Sequence, residues 1–365
     1  PYGLAAFGIA AMLGARWLSL RRTVVAVALG ALGFGYSLLW RNDGMWGNFD
    51  QAYSFRWQPS AEEELLAKVS DPKQAQTISE SWLQGLAAPE WPEFRGAGRT
   101  GVVTNSAAIT TDWETSPPEL LWKIPVGPGW SSFALAGELL FTQEQRGPLE
   151  TVVCYHTESG AELWTHSVES RFDEPLGGPG PRATPTLADG SLFVMGAQGW
   201  LTRLDPKTGD LLWGKDLREV ANRKPPMWGF ASSPLVMGSL VIVHASGDGE
   251  LGLLAFDSTS GELRWSAATG TQSYSSPQPY VIDGQMVVGM STDLGLDLFD
   301  LVSGKALLRY EWKHNGYRCV QPQMIDQSSL LIPTGLGGGT RRIRLNKSTE
   351  GGWTAEEVWT SRRLK

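Results

Sequence analysis

The sequence predicts an all-β protein assembled from repeated four-stranded units, set behind an apolar helical segment at its N-terminus. Two repeated signatures and the composition lead there. One signature is a turn that recurs four times: Cys154-Tyr-His-Thr-Glu-Ser-Gly-Ala-Glu-Leu-Trp164, Arg203-Leu-Asp-Pro-Lys-Thr-Gly-Asp-Leu-Leu-Trp213, Ala255-Phe-Asp-Ser-Thr-Ser-Gly-Glu-Leu-Arg-Trp265 and Leu298-Phe-Asp-Leu-Val-Ser-Gly-Lys-Ala-Leu-Leu308, the last without its Trp. Its glycines, Gly160, Gly209, Gly261 and Gly304, stand about 49, 52 and 43 residues apart, the period of β-propeller blades. The other signature precedes each copy. Thr184-Pro185, Ser233-Pro234, Ser276-Pro277 and Gln321-Pro322 each open an apolar run, and Ser132-Phe133 is the same landmark without its proline. The composition agrees: 17 Trp and 43 Gly in 365 residues supply docking rings and tight turns.

The N-terminal segment comes first in the chain. Residues 23–40 carry no charge and are just long enough to cross a hydrocarbon core at about 1.5 Å per residue. Ala26 with Gly30 and Ala31 with Gly35 are small residues four apart, which suit close helix contact in lipid. Residues 2–15 are also uncharged and apolar, and Arg16, Arg21 and Arg22 lie between the two stretches. A basic connection of this kind faces the cytoplasm. The expectation is two transmembrane helices in residues 1–41 of a bacterial inner-membrane protein, with the rest on the periplasmic or extracellular side. A signal peptide needs a small-residue cleavage site, and Leu38-Leu39-Trp40-Arg41 offers none. Pro1 and the short first stretch read as the inside of a longer protein.

Residues 42–90 read as a linker with short helices. Ser60-Ala-Glu-Glu63 is a capping box, in which the Ser hydroxyl and the Glu carboxylate each satisfy a backbone N–H at a helix start. That helix should stop before Asp71-Pro72.

From residue 91 to 365 the texture is short β runs broken by Gly, Pro, Asp and Ser. Each unit reads as strand, turn, strand, a strand ending in Asp-x-x-Ser/Thr-Gly, and a last strand carrying Trp. Asp205, Asp257 and Asp300 can accept N–H groups further along the chain and fix Asx turns. The Gly supplies positive φ, and the Trp after it buries a large surface against a neighbouring unit. The units are expected near residues 129–166, 182–215, 230–268, 274–312 and 318–360. The fifth is degenerate, with Arg344-Leu-Asn and a late Trp359. Glu119-Leu-Leu-Trp122 reads as the tail of a unit whose first three strands are absent upstream, and a C-terminal truncation is inferred with it.

These signatures resemble the tryptophan-docking motif of quinoprotein-type, BamB-like β-propellers, the PQQ-like repeat family. Trp91-Pro-Glu-Phe-Arg-Gly96, Pro117-Pro118 before Leu121-Trp122, and Gly180-Pro-Arg-Ala-Thr-Pro-Thr186 extend the resemblance over most of the chain. It implies a propeller of commonly eight blades, about five of which are present. Trp122, Trp164, Trp213 and Trp265 would then be structural docking residues.

For chemistry the sequence offers little. A net charge of −7 excludes a phosphate-tracking nucleic-acid surface, and two cysteines exclude a disulfide-stapled mini-domain. His156, His166, His244 and His314 lack metal-ligand spacing, and His156 fills an Asp slot of the repeat. Cys154 and Cys319 read as buried free thiols, with a disulfide between them the minor alternative on an oxidising side. Gly335-Leu-Gly-Gly-Gly339 and Gly247-Asp248-Gly249 read as turns. Strand starts line the channel of a propeller, and the positions three before each proline landmark put Trp130, Arg182 and Tyr274 at its mouth, with Arg318 beside Cys319. Two aromatics and an Arg could grip a peptide, a carboxylate or a sugar, or could simply plug the channel. Trp228 is a further aromatic candidate. The reading is a membrane-tethered binding or assembly scaffold without catalysis or cofactor, whose partners are the membrane and other envelope proteins and not nucleic acid. The resemblance implies one alternative, a PQQ-dependent membrane dehydrogenase of alcohols or sugars with a calcium ion held by acidic and amide side chains. No adjacent cysteine pair or convincing acid and amide set supports it. A sensor ectodomain is the third reading.

Overall fold

Each repeat folds as a four-stranded antiparallel meander, because its strands are joined by turns too short to do anything but reverse the chain. In the computed structural model, which describes residues 8, 20–45, 50–69, 78–103, 110–335, 337–348 and 352–363, five such sheets follow one another. Blade 1 holds Ala134–Ala136, Leu139–Arg146, Leu149–His156 and Glu162–Glu169. Blade 2 holds Thr186–Ala188, Ser191–Met195, Trp200–Leu204 and Leu211–Asp216. Blade 3 holds Leu235–Met237, Leu240–His244, Leu253–Asp257 and Leu263–Ala267. Blade 4 holds Gln278–Ile282, Gln285–Thr292, Gly295–Asp300 and Ala306–Glu311. Blade 5 holds Gln323–Asp326, Ser329–Thr334, Gly339–Lys347 and Trp353–Ser361.

The core lies between blades. Strands Leu240–His244 and Leu253–Asp257 are buried at every position, so both of their faces are covered by neighbours. Phe193 and Met195 of blade 2 meet Val241, Val243 and Phe256 of blade 3, and Ile242 and Ala255 on the other face of blade 3 meet Val288, Met290 and Phe299 of blade 4. The fourth strand of a blade is half exposed; Glu162–Glu169 places only Leu163 fully inside. A short 3-10 helix, Trp82–Ala87, lays Trp82, Leu83 and Leu86 on the blade 1–blade 2 core.

One irregularity repeats in all five sheets. The pairs Cys154–Trp164, Arg203–Trp213, Ala255–Trp265, Leu298–Leu308 and Arg342–Trp359 are each followed by a one-residue slip of the outer strand. This β-bulge kinks the strand beside the Trp and aims it off its own sheet. It also places Trp359 at the docking register of blade 5, although the longer hairpin there hides the motif from spacing arguments.

By its contacts the chain divides into two compact units, one of residues 1–68 with 174–178 and one of residues 69–173 with 179–365. In the first unit the capping box forms as expected: Ser60 N–H donates to Glu63 Oε2 at 2.6 Å and Glu63 N–H to Ser60 Oγ at 3.1 Å, opening helix Ala61–Val69. The apolar segment is corrected. Its helix runs over Leu20–Leu38, carries Arg21 and Arg22 in its first turn, and is followed at once by strand Trp40–Met45 paired with Gln51–Phe55. Trp40 therefore belongs to a hairpin and not to a span of residues 23–40. No helix among the described residues is long and apolar enough to cross a membrane. The other expected helix, over residues 2–15, lies outside the described residues apart from Gly8.

Candidate binding face at the channel mouth

Two sets of contacts between blades hold the first strands in place, and both come from the sequence landmarks. On the channel side, Ser132 N–H donates to Thr184 Oγ1 at 3.3 Å, Thr184 N–H to Ser233 Oγ at 2.9 Å and Ser233 N–H to Ser276 Oγ at 2.9 Å. Each landmark hydroxyl thus accepts the amide of its counterpart one blade earlier. The proline that follows has no N–H to leave orphaned on the buried channel wall. At the periphery each docking Trp reaches the next blade. The indole N–H of Trp122 donates to Thr157 O at 2.6 Å, that of Trp164 to Pro206 O at 3.1 Å, that of Trp213 to Ser258 O at 3.0 Å and that of Trp265 to Leu301 O at 3.1 Å. The ring of each lies on the turn glycine of that blade. A Cβ at Gly209, where φ is +78°, would stand 2.6 Å from the Trp164 ring. Glycine is required twice over, for the backbone and for the space. Trp122 docks on blade 1 in the same way as the others, although its segment pairs with no sheet.

The first strands start at the mouth, and so do the loops that link one blade to the next. There Trp228, Tyr274 and Tyr317, from the loops entering blades 3, 4 and 5, meet pairwise with ring centroids 5.1, 5.0 and 4.9 Å apart and tilts of 35° to 49°. The Trp228 amide donates to the Tyr274 hydroxyl at 3.1 Å, and the Tyr274 amide to Arg318 O at 2.9 Å. All three rings are half-buried. The Trp228 indole N–H has no hydrogen-bond partner among the described residues, and neither has His314 Nε2 on the Tyr317 loop. Tyr317 is absent from the sequence-based candidates because it stands one residue before the nominated Arg318; an aromatic within five residues of a landmark was the available signal.

Of the candidates, Tyr274 joins this cluster together with Trp228. Trp130 is exposed and its amide donates to Pro181 O at 2.8 Å. Arg182 packs its guanidinium 5.0 Å from the centroid of Phe172 and donates to Gly180 O at 2.5 Å. Arg318 is a correction. It is fully buried, and its guanidinium turns inward to Thr334 Oγ1 at 3.1 Å and to the carbonyls of Thr292 and Trp312, so it offers no surface to a ligand. Loop 312–317 folds over it, with Trp312 stacked at 5.1 Å. Burial lowers its pKa to about 10, which still leaves it charged at neutral pH. Of the two cysteines, both expected inside, Cys154 is buried and Cys319 is exposed.

Two buried titratable groups flank the mouth. Glu150 accepts the Ala197 amide at 2.7 Å, and burial pushes its pKa up to about 7. His244, in the second strand of blade 3, meets Gly270 O at 2.9 Å through Nε2, and burial pulls its pKa down to about 4. Among the described residues no three His, Cys, Asp or Glu side chains come together as metal ligands. No acidic set able to hold a calcium ion beside a quinone is therefore gathered among the described residues.

The family model described as outer membrane protein assembly factor BamB matches residues 110–227 and 148–318, more than half of the chain. Among solved structures, BamB from Moraxella catarrhalis is 19% identical, with a TM-score of 0.40 over 59% of this chain and 60% of that one. Quinohemoprotein alcohol dehydrogenase from Comamonas testosteroni is 14% identical, with a TM-score of 0.46 over 82% of this chain and 53% of that one. Quinohemoprotein alcohol dehydrogenase ADHIIG from Pseudomonas putida HK5 is 14% identical, with a TM-score of 0.46 over 78% and 50%. The chain thus spans 50% to 60% of the length of these structures. No curated protein matches it. The chain belongs to the family of PQQ-like β-propeller repeats that this model describes.

Proposed function

We propose that the protein is an extracytoplasmic, membrane-associated propeller that serves as a binding or assembly scaffold, taking a protein partner of the cell envelope on its channel mouth and performing no catalysis of its own. The observation that carries the reading is the cluster of Trp228, Tyr274 and Tyr317, whose half-buried rings converge from three successive inter-blade loops. Aromatic rings of this kind bury much apolar area at low entropic cost, which suits the centre of a protein–protein contact. The family assignment favours a scaffold in the envelope. Association with the membrane draws on helix Leu20–Leu38, where Val24, Val27, Leu32 and Leu38 are all at least 59% exposed, an apolar surface that water disfavours.

The test is capture of partners from detergent-solubilised membranes by the wild-type protein and by Tyr274→Ala and Trp228→Ala. One band lost in both variants and kept with Trp130→Ala supports the mouth. Equal capture by all of them removes it as the binding face. Purified protein given PQQ and Ca²⁺ is the second arm. Dye reduction with alcohols or sugars would overturn the scaffold in favour of a dehydrogenase.

A further inference from the structure

The segment Trp91-Pro-Glu-Phe-Arg-Gly-Ala-Gly-Arg99 lies on the channel side of the blades and touches four of them in turn. Trp91 pairs with Leu135 of blade 1 through both of its backbone groups, at 3.2 and 2.8 Å. Pro92 O accepts the Leu187 amide of blade 2 at 2.7 Å. Arg99 ends the run. Its side chain is fully buried and donates to Ser233 O at 3.2 Å and Pro234 O at the start of blade 3, to Pro277 O of blade 4 at 2.8 Å, and to Glu93 Oε2 of its own segment at 2.6 Å. Gln278 Nε2 of blade 4 adds a bond to Gly98 O at 3.2 Å. The geometry is built for this path. Gly96, at φ +72°, lies under the Trp91 ring so closely that a Cβ would stand 2.7 Å from it. Arg95 and Arg99 hold positive φ at 64° and 58°.

The physical need is plain. A first strand has a partner on one side only, so its channel-facing N–H and C=O groups form an open edge. An unsatisfied buried backbone group is costly. The segment satisfies those edges in blades 1 and 2 with backbone and in blades 3 and 4 with one guanidinium, whose planar fork suits several carbonyls at once. Its contacts fall at the landmarks and just after them, beyond the hydroxyl ladder as seen from the mouth.

We infer that residues 91–101 form an internal strap, which locks blades 1 to 4 to one another and covers their channel-facing edges at the end opposite the mouth. The inference is independent of which partner, if any, the mouth takes.

The test is thiol accessibility under the strap. Gln278 is 3% exposed and lies directly beneath Gly98. Gln278→Cys is placed in a Cys319→Ser background, leaving the fully buried Cys154 of blade 1 as an internal control. Maleimide labelling at the Gln278→Cys position is expected to rise at least tenfold when Arg99→Met is added, with Cys154 labelling unchanged. An unaltered rate at that position overturns the strap. So does a parallel rise at Cys154, since Arg99 would then hold the whole unit together and not shield the channel. Should Arg99→Met fail to fold, Arg99→Lys keeps the charge with fewer donors and no fork. It should raise the rate at the Gln278→Cys position by a smaller factor, and an unchanged rate there refutes the strap equally.

Discussion

Removing the ring of Trp213 isolates one junction between blades. In Trp213→Ala the indole leaves the face of Gly261, its bond to Ser258 O is lost, and Phe193, 6.1 Å away between centroids, is uncovered. Trp→Ala substitutions in cores cost about 3–5 kcal/mol, and Trp213 is partly buried, so the lower end applies, about 3 kcal/mol. For a unit of this size that is a fall in Tm of about 5 °C. The companion variant is Gly261→Ala, whose Cβ would stand 2.9 Å from Trp213 Cδ2 at a φ of +71°. Left-handed backbone strain accounts for about 1–2 kcal/mol of its cost, and collision with the ring for the rest. In the double variant the collision is gone, so the two losses should fall short of additivity by about 1 kcal/mol or more. Thermal and denaturant melts of the four proteins measure this. An unchanged midpoint for Trp213→Ala, or strict additivity in the double variant, refutes the docking account.

Three further outcomes follow from the same structure. Ser233→Ala removes the acceptor of the Thr184 amide and leaves a buried N–H unpaired; denaturant melts should show a loss of about 1–3 kcal/mol, while Ser233→Thr should recover most of it. Glu150 and His244 should oppose each other in acid. The Glu150 pKa is raised from 4.5 to about 7, so the native state holds the extra proton and stability falls as pH climbs through that window. The His244 pKa is lowered from 6.5 to about 4, so the unfolded state holds the extra proton and stability falls as pH drops from 6.5 towards 4. Each contribution is about 3 kcal/mol at full extent. Denaturant midpoints of the wild type should therefore vary little between pH 4.5 and 6.5. Glu150→Gln should make stability rise with pH there and His244→Gln should make it fall, and identical profiles for all three would dispose of both assignments. Finally, Trp359→Ala should cost less than Trp213→Ala in a thermal melt, because Trp359 is 36% exposed while its counterpart rests on a glycine turn.

The blades were legible because their fasteners are made of residues that chemistry confines to such places. A Trp four residues after a turn glycine, and a hydroxyl residue just before a proline, each name both partners of a contact one blade apart. Trp359 could be read only as a late, outlying copy, because the register that identifies it is set by pairing with Arg342, while its distance from the turn differs from that of the other copies. Arg318 was read as a ligand group from its place before a strand, but the fold of loop 312–317 decides its burial, and no local pattern encodes that. The end of the apolar helix was misplaced for a related reason. Hydropathy continues to Trp40, whereas the antiparallel pairing of Trp40 with Phe55, a residue far along the chain, pulls Trp40 into a hairpin. Arg99 left no trace at all in the sequence, since an arginine among small residues reads as a solvated loop until blades 3 and 4 are seen around it.

The two kinds of contact between blades share a direction. In both, the earlier blade gives the proton, from a landmark amide or from an indole, and the later blade receives it on a hydroxyl or a carbonyl. The junction is therefore heterologous, with unlike faces at front and back, in contrast to a two-fold contact. Blades 1 to 3 present the same pair of faces, so a duplicate of one of them would fit at any of their junctions without new chemistry, and one excised by recombination would leave two faces that still match. Gain and loss of whole repeats is then nearly neutral at the level of the joints, and the number of blades becomes a property that evolution can change in single steps.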